Sequence, residues 1–208
     1  MWALVEDNSI VKIINNQKAM VIGDTRHSRN IFSSRWTDEE REAIGIYEMV
    51  FDSSNKRDDS YYNNTNQSFN FADGVATASY GIATPKRLTD EDAVDTDGNP
   101  ILDDKGNQFI NYGLKTKHKK IIKQQASGLL EPTDWYNHKA LDDETFTIPV
   151  NIKTYRANIR STSNTMETAI DNAADVDALA TLYEYVNTGT EENPVMERPL
   201  GEWPELEV

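Results

Sequence analysis

The sequence contains no cysteine and only three histidines. Without cysteine it forms no disulfide and offers no thiolate ligand to a metal, which is compatible with a reducing cytosol. The histidines, His27, His118 and His138, lie far apart in the chain, without the H-x-x-x-H or H-E-x-x-H spacing that puts ligands on one helix face. The sequence therefore predicts no zinc site and no cofactor.

Short motifs that position catalytic groups are also missing. The chain has no G-x-S-x-G, no Walker loop and no G-x-G-x-x-G, so nucleophile-elbow, nucleotide and dinucleotide chemistry are not indicated. Its 35 acidic residues make neighbouring carboxylates common, and such pairs alone do not indicate a glycosidase. The chain is predicted not to be an enzyme.

Positive charge is scarce: the chain has 21 Lys and Arg and 35 Asp and Glu residues, which gives a formal net charge of −14. Binding a nucleic-acid backbone requires Lys or Arg to displace condensed counterions, so no nucleic-acid partner is predicted. One basic cluster is interpreted either as a solvated helix face or as a stripe for an acidic neighbour. It contains Lys115, Lys117, His118, Lys119, Lys120 and Lys123.

Long apolar runs are absent too. None approaches the ~18 residues needed to cross a bilayer, and the opening MWALVEDNSI carries acids before any lysine, so neither a membrane span nor a signal peptide is predicted. Only 38% of the residues are hydrophobic and the mean hydropathy is −0.68. Small cores are therefore expected, with extended segments that become ordered against partners.

The remaining patterns predict an α+β fold with four segments along the chain. These are an N-terminal α/β module (1–51), an Asn/Asp-rich β-arm region (52–113), a C-terminal helical unit (114–187) and an acidic, Pro-rich tail (188–208).

In the N-terminal module, Trp2–Val5 and Ser9–Ile14 read as a hairpin, because the Asp7-Asn8 pair tolerates left-handed dihedrals. Ile31-Phe32 and the run 44–50 are expected to be strands that cover it. Between them, Thr37 is predicted to cap a short helix in capping-box register with Glu40 and to be stopped by Gly45.

The β-arm region contains a predicted hairpin, 68–71 with 75–80, and then twin turn signals at Asp97-Gly98-Asn99 and Lys105-Gly106-Asn107. A projecting hairpin of this kind is expected to need a neighbour for stability. Asp95 to Asn99 resembles the start of an EF-hand, but Pro100 and Gly106 stand where Gly and Glu are required. A looser cation site formed by Asp95, Asp97, Asp103 and Asp104 has no further support, so no metal site is predicted.

The helical unit begins with a Lys-rich helix, 114–130, which Pro132 stops. After Pro149 a second helix carries apolar groups at three- and four-residue steps, and it either folds back on the Lys-rich helix or forms an oligomeric coiled coil. Its predicted seam is Ile152, Tyr155, Ile159, Thr162, Met166, Ala169 and Ala173. Asp175 or Asp177 is expected to cap a third helix with an apolar stripe at Val176, Leu179, Leu182, Tyr183 and Val186.

The order of motifs in the C-terminal part resembles phage tail-fibre assembly proteins and related virion proteins. Leu129-Leu130 and Thr133-Asp134-Trp135-Tyr136 match LL-x-x-TDW, and an acidic loop, Pro149 and Tyr155-Arg156 follow, the last matching YR-x-x-[ILV]-R. The resemblance covers roughly the last ninety residues. The opening MWALVEDNSIVKIINN and the later EAIGIYE also resemble the beginning of marine-phage virion proteins.

This resemblance implies a structural protein of the tail or tail-fibre attachment region that connects other virion proteins. It further implies a homo-oligomer in the particle and assembly in the host cytoplasm, without a membrane. Two alternatives stay open: a tail-fibre assembly chaperone that is absent from the mature particle, and a carbohydrate-binding host-recognition module. The second would use Tyr61, Tyr62, Trp135 and Tyr136.

Six residues are predicted to bind partners: Trp135, Tyr136, Tyr155, Arg156, Trp203 and Leu206. Trp135 and Tyr136 are placed at an aromatic turn, where they either wedge two helices together or bind sugar. Trp203 and Leu206 are flanked by glutamates, which suits a linear docking segment. The alternative for this tail is that it packs on its own domain.

Overall fold

The computed structural model describes residues 1–64 and 67–207 of the chain. Strands account for 24% and helices for 33%, which confirms the predicted α+β class. The chain forms two compact units, Met1–Thr84 and Pro85–Val208, so the boundary falls inside the segment predicted as one arm region. Thr65 and Asn66 of that segment, and Val208 of the tail, lie outside the described residues.

The first unit contains a five-stranded mixed sheet in the order β2-β1-β5-β8-β7. Its strands are β1 Trp2–Glu6, β2 Ser9–Ile14, β5 Ile46–Asp52, β7 Ser68–Ala72 and β8 Val75–Ser79. Both predicted hairpins, β1–β2 and β7–β8, are confirmed, and β5 pairs with β8 in parallel. Their tight turns place Asp7 (φ 48°), Asn8 (φ 59°) and Asp73 (φ 51°) in the left-handed region. The unit's shorter strands are β3 Met20–Ile22, β4 Thr25–His27 and β6 Tyr62–Asn63, and β9 Thr84–Pro85 lies at its end.

Strand β1 is buried on both faces because side chains alternate across a strand. One face packs with Ile14, Ile46, Ile31 and Phe32. The opposite face carries Ala3 and Val5, which pack with Met49, Ala76 and Ala78 in a separate core cluster. The prediction that Ile31-Phe32 form a strand is wrong: they lie in a 3-10 helix, Arg29–Phe32, where Ser28 accepts a hydrogen bond from the Asn30 amide.

Helix α1 (Asp38–Glu42) has the predicted capping box. The Glu40 amide donates to Thr37 Oγ1 at 3.2 Å, and the Thr37 amide donates to Glu40 Oε2 at 2.8 Å. This helix also carries Arg41, only 7% exposed, whose guanidinium donates to the carbonyls of Ile31 and Ser33 at 2.8 Å each. Arg41 therefore satisfies backbone acceptors at the 3-10 helix, a role that the sequence did not indicate.

The second unit contains four α-helices and one 3-10 helix among its described residues: α2 Leu114–Leu130, the 3-10 helix Glu131–Thr133, α3 Asp134–Asp142, α4 Val150–Asn172 and α5 Val176–Thr181. Helices α2 and α4 pack against each other, so the interpretation that the second helix folds back on the Lys-rich helix is confirmed. Ile122 of α2 and Ile159, Met166 and Ile170 of α4 are almost fully buried.

The seam of α4 differs from the predicted one at alternate positions. Arg156, Ser163 and Ile170 are buried where Tyr155, Thr162 and Ala169 were expected, although Ile152, Ile159, Met166 and Ala173 are buried as predicted. Of the neighbours Tyr155 and Arg156, the prediction placed the less polar tyrosine in the seam. It missed that a buried arginine is stable when its donors are satisfied.

Helix α5 begins as predicted, since the Ala178 amide donates to Asp175 Oδ1 at 2.8 Å. Val176 and Leu179 are buried, but the helix ends at Thr181, and Val186 is exposed in a strand, β12 Val186–Asn187. Strand β12 pairs with β13 Met196–Glu197, and the Leu200 amide donates to the Leu182 carbonyl at 2.9 Å. The predicted apolar stripe is therefore wrong at Val186.

The second unit begins with an arm in which a turn motif repeats every eight residues, VDTDGNPI over 94–101 and LDDKGNQF over 102–109. Amide groups of Ile101 and Phe109 each donate to the carbonyl eight residues earlier at 2.9 Å, and the Ala93 amide donates to the Phe109 carbonyl at 2.8 Å. These three bonds close a ring in which Ala93, Ile101 and Phe109 occupy equivalent places.

The strand pairings of the arm repeat at the same eight-residue spacing. Val94 pairs with Pro100, Leu102 with Gln108, and Ile110 with Asp92, the last within β10 Glu91–Asp92 and β11 Ile110–Asn111. Residues 91–111, called the three-fold arm below, thus form three small antiparallel pairs that these three hydrogen bonds join into a ring. The prediction of a simple projecting hairpin is wrong, because the backbone groups of this ring find partners within the arm.

Candidate partner-binding surfaces

Arg156, predicted to bind a partner, lies inside the corner between α2 and α3 and is 7% exposed. Its guanidinium donates to the Leu130 carbonyl at 2.9 Å, to Thr133 Oγ1 at 2.6 Å and to Asp134 Oδ1 at 2.7 Å. These groups lie at the end of α2 and the start of α3, where backbone carbonyls lack helical partners. Arg156 therefore holds the corner together from within the chain.

Tyr155 contributes to the same corner from the neighbouring position. Its hydroxyl donates to the Leu129 carbonyl at 3.3 Å, and the side chain is half-buried. The Leu-Leu, Thr-Asp-Trp and Tyr-Arg parts of the sequence pattern thus meet in space. Their spacing along the chain matches a helix corner that is closed by hydrogen bonds from α4.

Trp135 and Tyr136 lie in the first turn of α3, so the expected aromatic turn is helical. Their rings stack with centroids 3.8 Å apart, and Phe146 lies 6.2 Å from Tyr136 at an interplanar angle of 25°. Trp135 remains 49% exposed, and helix α3 has no buried residue. The three rings thus form an aromatic stack in which Trp135 is exposed and Tyr136 and Phe146 are half-buried.

The basic cluster of α2 is partly explained by contacts within the chain. Lys119 lies 2.8 Å from the Asp171 carboxylate and Lys123 lies 3.2 Å from that of Glu167, while Lys115 donates to the Asp171 carbonyl at 2.8 Å. Residues four apart share one helix face, so these lysines form a row along α4. The acidic neighbour that the sequence suggested is α4 of the same protein.

The Pro-rich tail returns to its own unit. The Trp203 indole N–H donates to Gln125 Oε1 of α2 at 3.2 Å, and Asn151 Nδ2 of α4 donates to the Glu207 carbonyl at 3.1 Å. Trp203 is half-buried, whereas Leu206 is 37% exposed. These contacts favour the interpretation that the tail packs on its own domain.

The three-fold arm exposes more apolar side chains than the helix corner does. Val94, Leu102 and Ile110 follow one another at eight-residue steps and are 50%, 52% and 44% exposed. Phe109 and Tyr112 are also about half exposed. The sequence signal for this surface was the repeated D-x-x-G-N at an eight-residue spacing, which indicates equivalent turns but not their closure into a ring.

The carboxylates of the arm turns bind backbone amides. Asp95 Oδ1 accepts from the amides of Asp97 and Asn99 at 2.9 and 2.8 Å, and Asp103 Oδ1 accepts from those of Lys105 and Asn107 at the same distances. Hydrogen bonds from Asn99 and Asn107 hold the pKa values of Asp95 and Asp103 below their usual range. In the described parts of the chain, no group of three or more His, Asp or Glu side chains is placed to hold a metal.

Acid is expected to loosen the arm turns. A carboxyl whose pKa is lowered by folding stabilises the folded state above its unfolded value, 3.8 for aspartate, and loses this effect as the pH falls through the lowered folded value. Amide chemical shifts of Asn99 and Asn107 should therefore titrate with midpoints below 3.8. The double variant Asp95→Asn, Asp103→Asn keeps an acceptor in each turn and should abolish this titration. Midpoints at or above 3.8 would contradict the assigned hydrogen bonds.

None of the helices in the described chain combines the length and apolarity required to span a membrane. Comparisons with protein-family models, curated proteins and solved structures found no match to this chain.

Proposed function

We propose that the protein is a non-enzymatic structural component of a phage virion, in the tail or tail-fibre attachment region, where it connects neighbouring subunits. The resemblance to tail-fibre assembly and virion proteins supports the phage origin. The residues that carry this resemblance, Thr133, Asp134, Tyr155 and Arg156 among them, form one hydrogen-bonded corner. This corner gives the residues of the motif a common structural role in the chain.

The observation that carries the proposal is the apolar surface of the three-fold arm. Val94, Leu102, Ile110 and Phe109 leave about half of each side chain in water, within a segment of only 21 residues. Covering clustered apolar surface is favourable, and patches on a soluble protein commonly mark sites of protein contact. A connector between subunits is the function that this surface supports best.

Mass spectrometry of purified particles of the encoding phage tests the proposal. A structural component is expected at a fixed copy number per particle, and a density map of the particle should show the arm against a neighbouring protein. If the chain is present in infected cells but absent from mature particles, the structural role is excluded. A tail-fibre assembly chaperone would then be the supported function.

A carbohydrate-binding role has one observation in its favour, the exposed stack of Trp135 on Tyr136. Flat aromatic faces suit the apolar faces of sugar rings. Tyr61 and Tyr62, also predicted for this role, are only 8% and 6% exposed and do not present such a face. A glycan array with the full chain and with Trp135→Ala separates the two functions, because a connector shows no glycan binding that depends on Trp135.

A further inference from the structure

Helix α2 begins without a side-chain cap of its own. Its N-cap residue is Gly113, and the first amides of a helix have no acceptor within the helix. The stretch of chain just before the three-fold arm supplies acceptors for them. The Leu114 amide donates to the Arg87 carbonyl at 2.9 Å. The Lys115 amide donates to the Leu88 carbonyl at 3.0 Å.

Asp90 adds its carboxylate to the same contact. Its Oδ1 accepts from the Gly113 amide at 2.8 Å, and its Oδ2 accepts from the Thr116 hydroxyl at 2.9 Å. A negative charge at this place is also favourable because a helix N-terminus carries a partial positive charge. Residues 87–90, called the clamp below, therefore bind the first turn of α2 immediately before the arm begins at β10.

The clamp approaches α2 so closely that only glycine fits at the point of contact. A Cβ on Gly113, which is buried, would lie 2.5 Å from the Thr89 carbonyl oxygen and 2.6 Å from that of Leu88. Both oxygens belong to the backbone, so no side-chain rotation would relieve the overlap. Gly113 also follows the last strand of the arm, β11, by two residues. Both ends of the arm thus meet the first turn of α2.

An arm joined to its domain by flexible chain ends would swivel, whereas this arm is held by four hydrogen bonds and a backbone-to-backbone contact. We propose that the clamp fixes the three-fold arm to α2 as one rigid body, so that the arm has a single direction relative to α2 before any partner binds. A partner then does not have to immobilise the arm, which removes an entropic cost of association. The inference concerns the isolated chain, so it stands or fails independently of the proposed function.

Residual dipolar couplings of backbone amides in the weakly aligned full-length chain test this inference. One alignment tensor should fit the couplings of the arm, 91–111, together with those of α2. An arm that samples several directions would average its own couplings towards zero. Two different tensors, or a smaller tensor for the arm than for α2, would therefore overturn the inference.

Gly113→Ala is expected to disrupt the clamp. The alignment of the arm should fall below that of α2, while the amide chemical shifts of Ile101 and Phe109, which report on the ring of the arm, should stay unchanged. Gly128→Ala is the matched control on the same helix, because a Cβ there meets nothing within 4 Å beyond its own helix backbone. The control should keep a single tensor. A single tensor in Gly113→Ala as well would contradict the proposed coupling.

Asp90→Ala gives a second readout without introducing a clash. The Gly113 amide loses a charged acceptor, so its hydrogen exchange should become about ten-fold faster or more. Exchange of the Phe109 amide should not change, because its acceptor lies within the arm. Asp92→Ala, which removes an exposed carboxylate two residues away, is the control and should leave Gly113 unaffected. Unchanged exchange at Gly113 in Asp90→Ala would show that the carboxylate does not hold the start of α2, and the clamp would be rejected.

Discussion

Replacing Arg156 with methionine is expected to lower the free energy of unfolding of the second unit by about 3 kcal/mol. Methionine retains an apolar stem in the corner, but the Leu130 carbonyl and Thr133 Oγ1 lose a charged donor inside the protein. The Asp134 side chain is half exposed, so water can replace its partner and its share of the loss is small. Urea unfolding followed by circular dichroism measures the change, and hydrogen exchange of α4 peptides assigns it to this unit.

Lys153→Met is the matched control for this prediction. Lys153 lies on the same helix and is exposed, so its replacement should change stability by no more than about 0.5 kcal/mol. Arg156→Lys should give an intermediate loss, because an ammonium group cannot reach three acceptors with the planar geometry of a guanidinium. Equal stability of Arg156→Met and Lys153→Met would show that the corner does not depend on these hydrogen bonds.

Replacing Gly45 with alanine is expected to destabilise the first unit by about 3 kcal/mol or more. Gly45 has φ +78°, and a Cβ there would lie 2.5 Å from the Val5 carbonyl oxygen. That oxygen belongs to the backbone of β1, and the Val5 amide also donates to the Gly45 carbonyl at 2.8 Å. The clash therefore cannot be relieved without moving β1, which is buried on both faces.

Gly74→Ala supplies the control, because Gly74 has nearly the same φ, +77°, but no atom within 4 Å of a Cβ. Alanine at this position should cost only the strain of a left-handed residue, about 1 kcal/mol. Thermal or urea unfolding of both variants measures the difference. If both variants lose the same stability, the approach of Gly45 to Val5 is not a packing constraint.

Features that depend on neighbouring residues were predictable from the chain alone. Asp7-Asn8 and Asp73-Gly74 define their turns because few other residues accept left-handed dihedrals, and Thr37 with Glu40 satisfies helix-end amides over a four-residue span. Asp175 likewise caps α5 from the position just before it. In each case the interacting groups are held close by the backbone itself.

The candidate partner-binding residues show why the sequence alone does not predict which protein surface binds a partner. Trp135, Tyr155, Arg156 and Trp203 were predicted to bind partners, and the contacts that the structure shows for them are inside the chain. Only Trp135 retains about half of its surface in water. Residue type indicates that a side chain needs a partner, whereas burial decides whether that partner is another protein.

The amino-acid sequence by itself determined the turns, the caps of α1 and α5, the helix at 114–130, the second helix after Pro149 and the net negative charge, because these follow from local geometry and from composition. Only the tertiary structure decided that Arg156 and Arg41 are buried, since their acceptors lie 22 to 26 and 3 to 10 residues away. It also decided that two repeated turns close into a ring, because that closure requires the Ala93 amide to reach the Phe109 carbonyl across the whole arm.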